Sequence, residues 1–165
     1  MVYWLQVPLS LLSVCATAQE AETALQRRLR EHHDELTLVA RYQQGRYGFA
    51  ELGIGRNQYG KDHHPFDIGY YAGAELRVDR PELWGLKVGA YADGGFAMGV
   101  QYIHYFDGPR SYPVLRPEMG IGVFKAKMTY AYNVALGERM PGTNTHMLSF
   151  SYAFRVARLS ERRPY

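Results

Sequence analysis

The sequence predicts an all-β fold, an eight-stranded antiparallel up-and-down transmembrane β-barrel. The clearest sign lies in residues 147–156, where large apolar side chains alternate with small or polar ones. One face of this segment carries Leu148, Phe150, Tyr152, Phe154 and Val156, and the other carries Ser149, Ser151, Ala153 and Arg155. Successive side chains of a strand point to opposite sides of the sheet, so this period of two indicates β-structure.

The same alternation recurs along most of the chain and keeps the charges on one face. It predicts strands over residues 35–43, 46–55, 67–78, 83–93, 95–106, 113–123, 124–136 and 146–156. Glycine, proline and aspartate, which favour turns, lie between most of these segments. The charged face carries Arg41, Glu51, Asp67, Glu75, Arg77, Lys87, Asp93, Arg116, Glu118, Lys125, Lys127 and Arg155.

Glycines indicate which face points inward. Gly53, Gly73, Gly89 and Gly120 are among those that separate the charged residues. Because glycine weakens a strand, a solvent-facing surface favours other residues. A narrow eight-stranded interior has room for long charged side chains only where small residues separate them. The pattern therefore favours a charged interior and an apolar outer surface, and a soluble lipocalin-like carrier barrel remains the alternative.

The uncharged face is predicted to contact lipid, with aromatic residues near the membrane interfaces. Its lipid-facing aromatic residues are Tyr70, Trp84, Phe96, Tyr130, Tyr132, Phe150, Tyr152 and Phe154. A charged side chain on this face would cost roughly 2–4 kcal/mol at the midplane. A slip of one residue would turn every interior charge outward, so the register is strongly specified.

The predicted interior holds similar numbers of positive and negative side chains, seven and five. Unpaired buried charge is costly, so we expect these side chains to pair and to fill the lumen. The predicted interior polar network consists of Arg41, Glu51, Glu75, Arg77, Lys87, Arg116, Glu118, Lys125 and Lys127. A selective pore would more commonly carry a ring of one sign, so this balance predicts no wide channel.

Residues 1–18 are predicted to be a removable secretory signal. Residues 7–14 are largely apolar, and Ala16-Thr17-Ala18 matches a cleavage pattern. The usual basic start is missing, since no Lys or Arg precedes Arg27, and a short hydrophobic helix is the alternative. Residues 19–34 are expected to be a polar leader that could form a short helix. The barrel domain is then expected over 35–156, and a basic tail over 157–165.

Composition excludes several classes of protein. The only cysteine, Cys15, lies within the predicted signal, so neither disulfides nor thiol chemistry is expected in the mature chain. No run of 18 apolar residues is present, which argues against a transmembrane helix. The net charge of +3 is dispersed and indicates no nucleic-acid interface. No cofactor is expected.

Two groups of residues carry chemistry that could form a site. Lys61-Asp62-His63-His64-Pro65 offers ligands that suit Zn²⁺ or Cu²⁺. Adjacent histidines rarely chelate one ion alone, so a solvated loop is favoured there and at His32-His33, and no metal site is predicted.

The second group would belong to a lipid-modifying outer-membrane hydrolase or acyltransferase. It combines His146 with Ser149 or Ser151, and with Glu118 or Glu138 as the carboxylate. The sequence contains no nucleophile elbow or comparable motif. A protein without enzymatic activity is therefore the favoured interpretation, and the enzyme is the alternative.

Residues 116–124 and 128–134, with His146 leading into the last strand, resemble small outer-membrane β-barrel proteins of Bacteroidetes-type bacteria. Residues 48–55 and the glycine-rich region 89–99 are similar to that group too. The resemblance covers most of residues 36–156 and implies an outer-membrane barrel but no reaction. Outer-membrane lipid and the barrel-assembly machinery are the expected partners, and the expected role is structural or mediated by loops.

Two features depart from the pattern of that group. The chain continues for eleven residues after Phe154, beyond the alternating aromatic residues of an assembly signal. Pro117 lies within a predicted strand, where its missing N–H leads us to expect a bulge or a strand end. The longest predicted loop, residues 56–66, is the expected place for recognition.

Overall fold

A computed structural model describes residues 31–61, 65–123, 125–138 and 140–162 of the protein. The predicted signal, residues 1–18, lies outside this part of the chain. So do residues 19–30 of the predicted leader and the Asp62-His63-His64 core of the candidate metal loop.

The described chain is all-β, as predicted. Its strands are β1 (Glu31–Gln44), β2 (Gly48–Lys61), β3 (Pro65–Arg77), β4 (Arg80–Asp93), β5 (Phe96–Asp107), β6 (Arg110–Val123), β7 (Ala126–Tyr132), β8 (Val134–Ala135) and β9 (His146–Arg162). Every pairing is antiparallel. Within the described ranges, no helix is long and apolar enough to cross a membrane.

The strands form a closed ring of hydrogen bonds, because β9 pairs with β1 and β5 pairs with β6. A path that steps from each residue to its direct partner in the next strand makes one full circuit of the ring. It starts at one residue of β1 and ends at a different residue of β1. The path runs through Asp34, Gln58, Ile68, Ala92, Met98, Met119, Tyr130, Leu148 and Gln44. It returns ten residues further along β1, so the strands are staggered and tilted relative to the axis of the ring.

The two ends of the ring differ. The loop end carries the β1–β2, β3–β4 and β5–β6 turns and the segment 136–145 between β8 and β9. The terminal end carries Glu31, Arg162 and the β2–β3, β4–β5 and β6–β7 connections. Segment 136–145 is the longest connection, whereas most of the loop predicted over 56–66 belongs to β2 and β3.

Pro117 marks a break in the ring, in agreement with the sequence. It pairs with Val100 in β5, but on the other side of β6 the pairing with β7 ends at Glu118 and resumes with β8 at Leu115. Asn133 lies at this break, and its backbone N–H bonds to the carbonyl oxygen of Thr145. The missing proline N–H therefore divides one predicted strand into β7 and β8.

Two strands extend beyond their predicted bounds. Residues 157–162, predicted as part of a tail, continue β9, and residues 31–34, predicted as part of a leader, belong to β1. The pairing of β9 with β1 contains two register shifts, one between Leu36 and Thr37 and one between Asp34 and Glu35. Each shift inserts an extra residue and breaks the period of two. The sequence alternation consequently fades near Val156 although the strand continues.

The two faces of the ring differ in polarity, with apolar and aromatic side chains on the outer face. All eight aromatic residues that were predicted to face lipid lie on the outer face, with between 40% and 60% of their surface exposed. Charged and amide side chains fill much of the interior. The outward residues of β5, from Phe96 to Phe106, are apolar or aromatic apart from His104.

Interior glycines make room for buried tyrosines. A Cβ atom on Gly89 would lie 2.9 Å from the ring of Tyr71, and one on Gly69 would lie 2.8 Å from the ring of Tyr91. Tyr71 and Tyr91 are both buried and pack against each other, with ring centroids 6.3 Å apart. These glycines therefore serve packing inside the ring.

An apolar cluster fills the interior at the loop end. This loop-end core consists of Phe49, Leu83, Ile103, Tyr105, Tyr112, Val114 and Met140. The sequence did not predict it, because these residues share the inward phase with charged residues of the same strands. The interior is therefore polar over most of its length and apolar at one end.

Replacing Gly89 with valine is expected to destabilise the fold by about 1–3 kcal/mol, because the new side chain would overlap Tyr71. The measurement is urea unfolding followed by far-ultraviolet circular dichroism. Ala90→Val is the matched control, since Ala90 is the next residue of β4 and faces outward. Equal effects of the two substitutions would show that the interior is not tightly packed at Gly89.

Candidate functional site

Six charged side chains form a balanced cluster in the middle of the interior. This central network consists of Arg41, Lys87, Arg116, Glu51, Glu75 and Glu118, which come from five strands, β1, β2, β3, β4 and β6. All six are buried, and each cation is paired with at least one of the carboxylates. Because buried charge is tolerated only when it is paired and hydrogen-bonded, these side chains depend on one another.

Arg116 and Glu75 form the most completely bonded pair of the central network. The guanidinium donates two hydrogen bonds to Glu75, from Nη1 to Oε2 at 2.9 Å and from Nη2 to Oε1 at 2.8 Å. Arg116 also donates to Gln43 Oε1, to the Tyr105 hydroxyl and to Asn133 Oδ1. A two-pronged contact of this kind fixes the orientation of both groups.

Lys87 and Arg41 connect the remaining carboxylates. Lys87 Nζ donates to Glu51 at 2.7 Å and also contacts Glu75. Arg41 bonds Glu118 at 2.5 Å and lies 3.4 Å from Glu51. Each carboxylate is thereby linked to the next through a shared cation.

Uncharged side chains satisfy much of the remaining hydrogen-bonding capacity of the central network. Gln43 donates to Glu51 and Glu75, and Gln101 donates to Glu118 at 2.7 Å while it accepts from Lys87. Thr129 donates to Glu118 and is bonded to Ser149. Such a network leaves little freedom for any single side chain to move.

The ion pairs join different strands, which the sequence spacing alone does not reveal. Glu75 and Arg77 are two residues apart on one face, yet Glu75 pairs with Arg116 and Lys87, and Arg77 pairs with Asp79. Glu118 likewise pairs with Arg41 and not with Arg116. The stagger of the strands around the ring determines which charged side chains pair with each other.

Two anions outside the predicted interior set, buried Glu35 and exposed Asp79, bind the remaining cations of that set. Buried Glu35 binds Lys125 at 2.6 Å and lies 3.5 Å from Arg155. Asp79, in the β3–β4 turn, receives two hydrogen bonds from Arg77, which hold the pKa of its carboxyl group below the ordinary value. With these two, the seven cations of the predicted set face seven carboxylates.

Of the predicted network residues, Arg41, Glu51, Glu75, Arg77, Lys87, Arg116, Glu118 and Lys127 are buried. Lys125 differs, because it lies at the terminal end with a quarter of its side chain exposed. Arg155 is about half exposed. These two residues and Glu35 cover the terminal end of the interior.

The residues of the alternative hydrolase site are not brought together. His146 faces outward and is bonded to the hydroxyl group of Tyr130. Ser149 and Ser151 are buried in the interior, and Glu138 is exposed in segment 136–145. Odd and even positions of β9 point to opposite faces, so His146 is not positioned to activate either serine.

Among the described residues, no three His, Cys, Asp or Glu side chains are grouped so as to hold a metal ion. An open pocket of about 480 Å³ lies at the loop end. Arg46, Tyr47 and residues 140–146 line it, and the Asn144 side chain joins its two sides through hydrogen bonds to the backbone of Tyr47.

Comparison with protein-family models, curated proteins and solved structures finds no match to this chain.

Replacing Arg116 with methionine is expected to destabilise the protein by about 3–5 kcal/mol, because Glu75 would lose its principal partner inside the ring. Arg80→Met is the control, since the Arg80–Asp107 pair is exposed and should contribute less than about 1 kcal/mol. Urea unfolding midpoints measure both. A small loss for Arg116→Met would show that the central network does not determine stability.

Proposed function

We propose that this protein is a small outer-membrane β-barrel with a closed, charge-paired interior and no enzymatic activity. The observation that carries the proposal is the reversed polarity of the ring, with paired charges inside and apolar side chains outside. A water-soluble protein would have to expose this entire apolar surface to solvent, whereas in lipid it is favourable.

The dimensions of the ring support a membrane location. A stagger of ten residues over eight strands corresponds to a tilt of about 40°, for a rise of about 3.3 Å per residue and a strand separation of about 4.8 Å. At that tilt, the outward segment from Phe96 to Phe106 extends about 25 Å along the axis, the height of the apolar band in outer-membrane barrels.

Aromatic side chains form two groups on the outer face. Trp84 and Phe106 stack near the loop end, with ring centroids 4.6 Å apart, and Tyr132 contacts His146 on the same side. Tyr152 and Phe154 pack together nearer the terminal end. Two aromatic belts separated by aliphatic residues are typical of a protein that crosses both membrane interfaces.

The filled interior supports a role without transport. The central network occupies the middle of the ring, and the loop-end core closes one side of it. A structural role in the envelope, or binding of a partner by segment 136–145, fits this arrangement better than a channel does. Short connections at the terminal end and the longest one at the loop end support a periplasmic terminal end.

The resemblance to small Bacteroidetes-type barrels and the signal peptide remain predictions from the sequence. Outer-membrane lipid and the barrel-assembly machinery are the partners that this proposal implies. A soluble carrier would need an apolar cavity inside the ring, and the charged interior argues against that alternative. The separation of His146 from the serines argues against the residue set considered for a lipid-modifying enzyme.

Fluorescence quenching tests the contact with lipid. The chain has two tryptophans, so Trp4→Phe leaves Trp84 as the sole reporter. In vesicles of brominated phospholipid, we expect strong quenching of Trp84 fluorescence. The quenching should be strongest when the bromine atoms lie close to the lipid headgroups. Moving the reporter to the middle of β5, with Trp84→Phe and Val100→Trp, should shift maximal quenching to deeply placed bromine. Fluorescence unaffected by bromine at both positions would contradict the membrane location.

Electrical recording tests the closed interior. In planar bilayers, we expect the inserted protein to show no large, steady conductance, because paired side chains and the loop-end core fill the lumen. Heat-modifiable gel migration of the same sample verifies that it is folded. A large, constant conductance from folded protein would contradict the closed interior.

A further inference from the structure

A second set of interior charges, toward the terminal end, is less completely satisfied than the central network. Asp67 of β3 and Asp93 of β4 are direct cross-strand partners, and both point inward. Only 3% of Asp67 and 6% of Asp93 is exposed. Like charges placed directly opposite each other repel, and they do so more strongly away from water.

One oxygen atom of each carboxylate lacks a hydrogen-bond partner. Asp67 Oδ2 accepts from Asn57 at 3.3 Å, and Asp93 Oδ1 accepts from the backbone N–H of Gly95 at 3.0 Å. Asp67 Oδ1 and Asp93 Oδ2 are buried and receive no hydrogen bond from the residues that the structure describes. Such atoms are costly unless something else binds to them.

Lys127 compensates for only one of the two negative charges. Its Nζ atom lies 3.9 Å from Asp67 Oδ2 and sits over the ring of Tyr91, 2.7 Å from the centroid. The two cations nearer the terminal end, Lys125 and Arg155, are bound to Glu35. Asp67, Asp93 and Lys127 together therefore carry a local excess of one negative charge, whereas Glu35 with its two cations carries one excess positive charge nearer the terminal end.

The surrounding groups offer oxygen atoms. Asn57 bonds to the hydroxyl groups of Tyr59 and Tyr91 on the same side of the interior. Gly122 lies against the Asp93 carboxylate, where any larger residue would overlap it. Carboxylate, amide and hydroxyl oxygens are the ligands that hard cations prefer.

We propose that Asp67 and Asp93 bind one small hard cation between them, and that Na⁺, whose single charge balances the excess, is the ion that fits. The free oxygen atoms of the two carboxylates would be its principal ligands. This site is independent of the membrane location, because it depends only on the interior of the folded ring.

The test compares the thermal unfolding midpoint of the folded protein in detergent with NaCl and with choline chloride at equal concentration. Choline is too large to enter the packed interior, so we expect a higher midpoint in NaCl. Asp93→Asn keeps the shape of the side chain and should abolish the difference. Asp107→Asn, at an exposed carboxylate bound to Arg80, should leave it unchanged.

The variant Lys127→Met gives the sharpest comparison with the natural chain, because it removes the side-chain cation that competes with Na⁺ for Asp67. The Na⁺ concentration for half-maximal stabilisation should fall about tenfold or more, since the Lys127 ammonium group, 3.9 Å from Asp67 Oδ2, repels a cation bound to the same carboxylate. Broadening of the ²³Na resonance by folded protein provides a readout that does not depend on unfolding. Equal midpoints in the two salts and no ²³Na broadening, for both the natural chain and Lys127→Met, would overturn the proposal.

Discussion

Pairing of buried charges is the constraint on which the rest of this structure depends. Arg116 and Glu75 meet near the middle of the ring, and each is tolerable there only because the other is present. Shared carboxylates extend the same dependence to Lys87 and Arg41. Strands contributing these residues are therefore held in one register, since a shift of one residue would turn the charges toward the apolar exterior.

The positions of the inward-facing residues determine which residues form the outer surface. Because alternate residues of a strand face opposite ways, assigning charge to the interior assigns the intervening positions to the exterior. Glycines then serve the interior, where Tyr71 and Tyr91 need space, while the exterior carries larger aliphatic and aromatic residues. One alternation in the sequence thus specifies both the packing inside the ring and the apolar surface outside it.

The sequence predicted the strands and their faces well, because both depend on local periodicity. It could not identify ion-pair partners such as Arg41 and Glu118, which are 77 positions apart and meet through the stagger of the ring. Glu35 was missed because it is the first residue of the strand predicted over 35–43, where the alternation has only begun. The loop-end core was missed because Leu83 and Ile103 have the same phase as charged neighbours. The length of β9 was underestimated because two register shifts interrupt its period.

The pairing of β1 with β9 has a consequence for how the chain folds. It joins residues more than 100 positions apart, from Gln44 with Leu148 to His32 with Arg162. Contacts of such long range carry a large loop-closure entropy and form slowly. A nascent chain has no partner for the second edge of β1 until its last strand is available. Closure is therefore expected to be a late step, and the exposed edges before it make the unfinished chain prone to aggregation.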